Sequence, residues 1–419
     1  MPRGLDMAFV RQQFPAFAEP ELQGWAFFEN AGGSYACQPV IDRLLRLYTE
    51  ARVQPHGWHP ASRVAGDLMD ESTRQFAELL NVDGQELHFG PSTSQNTYVL
   101  AKAFGEMLQP GDEVVVTNQD HEANTGVWRR LADKGCVVKE WRIDRETGHL
   151  DVAQLDELLS DRTKLVIFPH CSNVVAEINP VAEISAMCHA AGALVVADGV
   201  AYAPHGLPDI RSLGVDIYLF SLYKTYGPHQ GLMYIQQDLL SRLPPQCHHF
   251  NTEVPSKRMV PAGHDHAQQA AAGGIAEYYH RLFQHHFEQS AEGPSAEGPS
   301  AGQSAGQAVN ELFREHERRL LAPLLDWLTD RDDLRILGPT SVDDRAPTVA
   351  IVPLKKDARE VIAVLEREKI MAGLGSFYAR RVLEAMGVDL SPGVLRLSFL
   401  HYTTQDEIEQ LIAALDQAL

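Results

Sequence analysis

The chain is poor in positive charge and in cysteine. Against 56 Asp and Glu it carries only 36 Lys and Arg, a formal net charge of -20 over 419 residues. A surface of that sign repels phosphate backbones and anionic headgroups, so neither nucleic acid nor a membrane surface is expected as a main partner. A local basic pocket for a small anion is still compatible with it. The five cysteines, Cys37, Cys136, Cys171, Cys188 and Cys247, include no CxxC pair, and none follows Cys247. An odd count without framework spacing fits a reducing cytoplasm. No apolar run is long enough to span a bilayer. The start, Met1–Val10, lacks a signal-peptide pattern, its short apolar part being followed at once by Arg11, Gln12 and Gln13. What is present is ordinary for a globular chain with a sizeable core: 44% hydrophobic and 22% charged residues, at a length that suits two or three domains.

Between about residues 85 and 240 short apolar runs alternate with helical patterns. Glu113–Thr117, Cys136–Trp141, Lys164–Phe168, Ala193–Ala197, Asp216–Phe220 and Gly231–Ile235 read as strands; Ser94–Leu108, Thr125–Lys134 and Val181–Ala191 read as helices. Near-continuous apolar strands in such alternation predict an α/β fold with a mainly parallel sheet covered on both faces. Next comes Ser290-Ala-Glu-Gly-Pro294, repeated at Ser295–Pro299, then Ser300-Ala-Gly-Gln303 and its repeat at Ser304. That composition cannot bury enough apolar surface to order itself, and a flexible surface insertion is expected. A long amphipathic helix over Ala308–Arg331 then opens a smaller α+β part. Its strands are expected at Leu334–Leu337, Thr348–Val352 and Val394–Phe399, its helices at Ala358–Glu368, Tyr378–Met386 and Thr404–Leu419. The expected division is an N-terminal segment (1–24) packing on the small domain, a large domain (25–287), a linker (288–307) and a small C-terminal domain (308–419).

Five residues or turns stand at expected strand ends. Phe89-Gly-Pro-Ser-Thr-Ser-Gln-Asn96 opens a helix with small hydroxylic residues; free N–H groups and the helix dipole there suit a phosphate, although Ser and Thr are also the preferred plain caps. His121 follows the Glu113–Thr117 strand, and Asn173 the Lys164–Phe168 strand; each has a structural alternative, a hydrogen-bonded His and a turn-forming Asn. Asp198 ends the Ala193–Ala197 strand at the edge where parallel sheets bind ligands, and could equally cap the next turn. Lys224 sits in Ser221-Leu-Tyr-Lys-Thr-Tyr-Gly-Pro-His-Gln-Gly231. Burial at a sheet end disfavours the charged amine, which makes the neutral form needed for a Schiff base accessible. Taken together, an anion cradle, a ring-stacking group, a carboxylate and a lysine are what pyridoxal 5'-phosphate (PLP) requires of a protein.

With these stretches in hand, the chain resembles fold-type I PLP enzymes of the class V aminotransferase group, in the cysteine desulfurase and selenocysteine lyase branch. The resemblance rests on Phe28-Glu-Asn-Ala-Gly-Gly33, Phe89–Asn96, Asp120-His-Glu-Ala-Asn124, Ser172–Pro180, Asp198-Gly199, Ser221–Gly231 and Arg396–Thr404. It implies a seven-stranded, mainly parallel sheet between helices, an amino-acid substrate and a homodimer with active sites near the subunit interface. It further implies that Lys224 carries the cofactor as a Schiff base and moves the substrate Cα proton, that Asp198 pairs with the pyridine nitrogen, and that His121 stacks on the ring. Thr93, Ser94 and Ser221 would bind the phosphate, with Tyr223 within reach. His264 stands where the partner subunit often supplies a Thr. Asn173 would meet the cofactor's phenolic oxygen or the substrate, Arg396 the substrate carboxylate, and Asn30 would lie on the substrate side.

Departures from that pattern shape the expected reaction. Desulfurases of this branch carry a sulfur-accepting Cys on a small-domain loop; the matching Ile370–Ala379 segment has none, and the Arg often found there is absent as well. Ala201 stands where relatives usually carry Gln or His. Removal of sulfide, selenide or thiol by β-elimination needs no acceptor Cys, and this Cβ–S(e) lyase chemistry is the expected reaction. Transamination or epimerisation from the same Cα deprotonation is the alternative, and a non-catalytic PLP-fold binding protein a further one. The histidine pairs at 248–249, 264 and 266, and 285–286 lack zinc spacing and are expected to be surface or anion-binding groups rather than a metal site.

Overall fold

A computed structural model of the chain describes residues 4–288 and 303–419. The expected flexible insertion falls mainly on residues 289–302, outside the described residues. A two-residue strand, β1 (Ala26–Phe27), precedes a seven-stranded sheet. That sheet comprises β2 (Leu87–Gly90), β3 (Glu113–Thr117), β4 (Val137–Trp141), β5 (Thr163–Pro169), β6 (Leu194–Asp198), β7 (Ile217–Ser221) and β8 (Gly231–Ile235), in the order β2-β8-β7-β6-β5-β3-β4. All pairings among β3 to β7 are parallel, whereas β8 runs antiparallel to both of its neighbours. The reversal has a local cause: β7 and β8 are joined without a crossover helix, so the chain returns beside the strand it has just left.

The strands are buried on both faces, as their apolar runs require. Val115, Val166, Val195 and Ala197 enter one core, and Val114, Val116, Leu165, Ile167 and Val196 the other. Neighbours along each strand therefore point to opposite faces, the period-two rule of a pleated sheet. Helices Thr93–Met107, Glu122–Arg129, Val152–Leu158, Val181–Ala190 and Ile210–Leu213 connect successive strands from β2 to β7. This arrangement brings the C-terminal ends of β2, β3, β5, β6 and β7 to one edge, and β8 begins there.

The smaller part holds β9 (Leu334–Leu337), β10 (Thr348–Pro353), β11 (Ile370–Met371), β12 (Gly373–Gly375) and β13 (Val394–Ser398). Four of these form an antiparallel sheet, β12-β13-β10-β9, while β11 pairs in parallel with β1. Leu320, Leu324 and Leu328 of the long helix pack with Leu365, Leu411 and Leu415 over Val349, Ile351 and Leu395 of the sheet. The long helix spans Ala305–Thr329 rather than Ala308–Arg331, because Ser304 caps it earlier in a capping box with Gln307. Ala26 and Phe28 belong to this smaller core, and the Phe28 N–H donates to the Met371 carbonyl at 2.8 Å. The N-terminal helix Met7–Gln12 is tied to the small part by Arg11, 2.9 Å from Glu407, while Phe14 just beyond it packs on Tyr226 and Tyr278 of the large part.

His286 departs from the surface role expected of it. It is 4% exposed, its Nε2 accepts the Asp6 N–H at 3.0 Å, and it helps close the N-terminal segment onto the helix ahead of it. No described helix is long and apolar enough to cross a membrane.

Candidate active site

The shared sheet edge opens into a cavity of about 190 Å³. Its wall includes Thr93 and Ser94 after β2, His121 after β3, Asn173 after β5, Asp198 at the end of β6, and Ser221, Tyr223 and Lys224 after β7. Residues scattered over some 130 positions of sequence thus converge because parallel strands all point the same way.

At one end, the Thr93 and Ser221 hydroxyls lie 2.8 Å apart, both side chains buried, while Ser94 is exposed on the rim. Thr93 and Ser94 open a 15-residue helix, whose first N–H groups have no acceptor within the helix. Ser92 caps the helix through the Gln95 N–H at 3.2 Å. The close approach of this turn to β8 depends on Gly231, where a Cβ would overlap the Ser92 carbonyl carbon and the Thr93 nitrogen. Hydroxyls, free N–H groups and a helix N-terminus are the parts from which an anion cradle is built.

His121 caps the next helix by accepting the Ala123 N–H on Nδ1 at 3.1 Å, so that nitrogen carries no proton. Burial pushes its pKa down to about 3, helped by the nearby charges of Lys224 and Arg396. The ring is therefore a neutral, flat wall. Asp198 accepts the Val200 N–H on Oδ1 at 2.8 Å, and no hydrogen bond occupies Oδ2 among the described residues. Burial raises its pKa to about 6. The chain turns sharply after it at Gly199, where a Cβ would overlap the Tyr218 ring.

Lys224 keeps part of its surface open to the cavity and has no carboxylate within ion-pair distance among the described residues. Burial lowers its pKa to about 8, with Arg396 adding to the effect and Asp198 opposing it. A neutral amine is thus available near physiological pH. Beside it, the Tyr223 ring stacks on His229 with centroids 4.7 Å apart.

Three expected residues lie outside this cavity wall. Arg396, on β13, is buried with its guanidinium 3.7 Å from the Phe377 ring centroid. Its Nη1 donates to the Asn173 carbonyl at 3.2 Å, and its Nε has no partner. The Asn173 side chain in turn donates to the Phe377 carbonyl at 3.0 Å, leaving its buried Oδ1 without a partner. Arg396 is therefore one residue behind the cavity, joined to it through Asn173. Asn30 is fully engaged elsewhere: its amide donates to the carbonyls of Phe27 and Ser398, both at 3.1 Å, and accepts from the Tyr402 hydroxyl. It ties the N-terminal segment to β13 and borders a minor cleft that Lys224 also lines. His264 bonds Gln269 and faces Phe89, away from this chain's own cavity.

Three titratable wall residues escaped the sequence reading: Asp120, Cys171 and His229. Asp120 and Cys171 lie just past the ends of β3 and β5, which was the available signal, whereas His229 lies in the Ser221–Gly231 stretch just ahead of β8. Asp120 is buried, accepts the His121 N–H at 2.8 Å and the Asn124 amide at 2.6 Å, and has its pKa pushed well up by burial and by Asp198. Cys171 is buried and donates to the Ala176 carbonyl at 3.3 Å; burial raises its pKa to about 12, so it is a thiol and not a nucleophilic thiolate.

Comparison with known proteins gives the family and the fold. The aminotransferase class-V family profile matches residues 26–254 and 308–411. An aminotransferase-like protein of Gibberella zeae is 33% identical, with 98% of each chain covered. A cysteine desulfurase of Serratia proteamaculans is 30% identical over 97% of each. Among solved structures, the apo cysteine desulfurase of Thermococcus onnurineus superposes with a TM-score of 0.82 over 98% of both chains at 22% identity. The Escherichia coli desulfurase CsdA gives 0.81 over 99% of both at 23% identity. Those two likenesses establish the fold, and the family match with its relatives establishes kinship: the chain is an enzyme of the aminotransferase class-V family, similar to cysteine desulfurases.

Proposed function

We propose that the protein binds PLP in the cavity at the sheet edge and acts on a small amino acid by removing its Cα proton, with β-elimination of a sulfur or selenium substituent as the outcome. The observation that carries this reading is the convergence on one cavity of a depressed-pKa lysine, a carboxylate with one free oxygen, a neutral histidine ring and a hydroxyl-lined helix N-terminus. These residues fit the cofactor's parts. Thr93, Ser94 and Ser221 would hold the phosphate, His121 the ring face, Asp198 the ring nitrogen through Oδ2, and Lys224 the aldehyde. When bound, PLP supplies an electron sink for the charge left by Cα deprotonation.

The protein's own contribution is positioning and proton management. With its pKa near 8, the Lys224 amine can take a proton from Cα and return it without a large penalty either way. Asp198, with its pKa near 6, is ionised at neutral pH and can keep a proton on the ring nitrogen. The unpartnered Arg396 Nε–H and Asn173 Oδ1 are a donor and an acceptor suited to a carboxylate and an ammonium. The segment Ile370–Ala379 brings no thiol, and Cys171 is held as a hydrogen-bonded thiol; both support release of the leaving group into solvent. The aminotransferase-like relative favours transamination as the second reading.

Purified protein is expected to absorb in the visible, and borohydride reduction to attach the pyridoxyl mass to Lys224. A Lys224→Ala variant that acquires the same mass at another lysine overturns the assignment. Cysteine and selenocysteine are then assayed for pyruvate plus released sulfide or selenide, and a keto acid for amino transfer. Transfer without elimination replaces the lyase reading by the second one. We also propose a homodimer, with His264 of each subunit offered to its partner.

A further inference from the structure

A second cavity, about 170 Å³, lies where the long helix Ala305–Thr329 and the loop before β10 meet the turn after β6. Its wall carries three guanidinium groups, Arg314, Arg318 and Arg345, against two carboxylates, Glu317 and Asp343. The carboxylates are already engaged: Glu317 with His205 at 3.1 Å, Asp343 with Arg318 at 3.2 Å. Arg314 and Arg345 have no carboxylate partner among the described residues. Arg345 is 3% exposed; it donates to the carbonyls of Pro339 and Thr348, and its Nε–H has no partner. A buried cation lacking a counter-charge is costly in a chain of net charge -20, where anionic side chains are plentiful. The wall thus keeps an excess of positive charge around an open space, with an unused donor buried behind it.

We propose that this cavity is a binding site for a small oxyanion, a phosphate or a short dicarboxylate, held by Arg314 and Arg345. Guanidinium forks match such anions through paired charge-assisted hydrogen bonds. The site is separate from the cofactor cavity but close behind it. Cys171 and Ala201 line the first cavity, Tyr202 and Ala346 the second, and these side chains pack together in one small cluster. Tyr202 also stacks on His170, 3.5 Å between centroids, and its hydroxyl accepts from Arg314. An anion there would clamp the turn that follows Asp198 to the helix and loop of the smaller part.

Holoenzyme, with its cofactor phosphate site filled, is titrated calorimetrically with inorganic phosphate and with malonate at constant ionic strength. Saturable binding of one probe at one anion per chain is expected; whichever binds more tightly identifies the ligand as phosphate or dicarboxylate. Arg314→Gln should weaken it about tenfold or more, as loss of a charge-assisted pair implies. Because Arg314 is exposed on a helix, this variant should melt within a degree or two of the parent, about what a surface change costs. Arg396→Gln, which alters the proposed substrate site, should bind the probe unchanged. The proposal is overturned if neither probe saturates, if Arg314→Gln binds as the parent does, or if binding disappears in Arg396→Gln. None of these outcomes bears on the chemistry proposed for Lys224.

Discussion

Lys224 has no ion-pair partner among the described residues and is largely buried, so without the cofactor its charge destabilises the fold. Its folded pKa, about 8, lies below the ordinary 10.5. Between these values the unfolded chain binds more protons than the folded one, so stability rises with pH across that window; below about 8 the penalty is constant. A cofactor-free Lys224→Met protein is therefore expected to melt higher than the cofactor-free parent at pH 7, by at most a few kcal/mol of stability. The gap should shrink as pH climbs from about 8 towards 10.5, and melting curves across that range check it. Gly231 offers a second test at this scale. Gly231→Ala pushes a Cβ into the backbone of Ser92 and Thr93, so it should lower the melting temperature and weaken PLP retention about tenfold or more, since cradle geometry is lost. Gly263→Ala, with nothing within 4 Å, is the matched control and should do neither. Equal cofactor titrations for the two would contradict the role given to the close approach.

At the scale of elements, the loop that links β12 to the helix Arg380–Ala385 is the distinctive one. Phe377 and Tyr378 both adopt left-handed backbone conformations, φ 50° and 55°, although neither is glycine. Each such residue costs roughly 1–2 kcal/mol. Hydrogen bonds to the large part hold them: Asn173 donates to the Phe377 carbonyl at 3.0 Å and the Glu122 N–H to the Tyr378 carbonyl at 2.8 Å. Arg381 adds an ion pair to Glu122 at 3.1 Å, exposed and so of little energetic weight. The strained loop is thus pinned beside the cavity wall, with the Tyr378 ring tilted against His121, centroids 5.5 Å apart. Tyr378→Gly should remove the backbone strain and raise stability by up to about 1 kcal/mol. It should also raise KM, because the aromatic packing that steadies the His121 ring is gone. Thermal melts and steady-state kinetics on the same preparation test both halves, and an unchanged KM would make the tyrosine's role purely structural.

At the scale of the whole molecule, the described chain leaves apolar surface uncovered. Ile41, Leu45 and Tyr48 recur at helical spacing on the exposed side of Gln38–Glu50, and Trp58 is 96% exposed. Soluble chains seldom leave such a stripe bare, which supports the proposed homodimer. A Leu45→Glu, Tyr48→Glu double variant should shift the mass seen by light scattering from twice the 46.5 kDa chain to the single chain. Parent protein found at the single-chain mass would reject the dimer.

Much of this was legible in the sequence, for identifiable reasons. Apolar runs such as Glu113–Thr117 and Gly231–Ile235 coincide with β3 and β8, because a strand buried on both faces admits little polar interruption. Lys224, Asp198, His121 and Thr93 could be picked out since each follows a strand, and parallel strands carry their ends to one edge. Local pattern does not encode direction or distance between remote segments. The reversal of β8, the pairing of Ala26–Phe27 with Ile370–Met371, and the withdrawal of Asn30 into a tie with Tyr402 are long-range packing outcomes. The same holds for Asp120, whose pKa is raised only because folding buries it beside Asp198, and for the guanidinium groups of Arg314 and Arg345 that face one cavity. The sequence by itself determined the strand-end chemistry and the family to which it belongs. Only the tertiary structure decided which side chains are deprived of water and of counter-charges, because desolvation belongs to a three-dimensional environment and not to a residue's place in the chain.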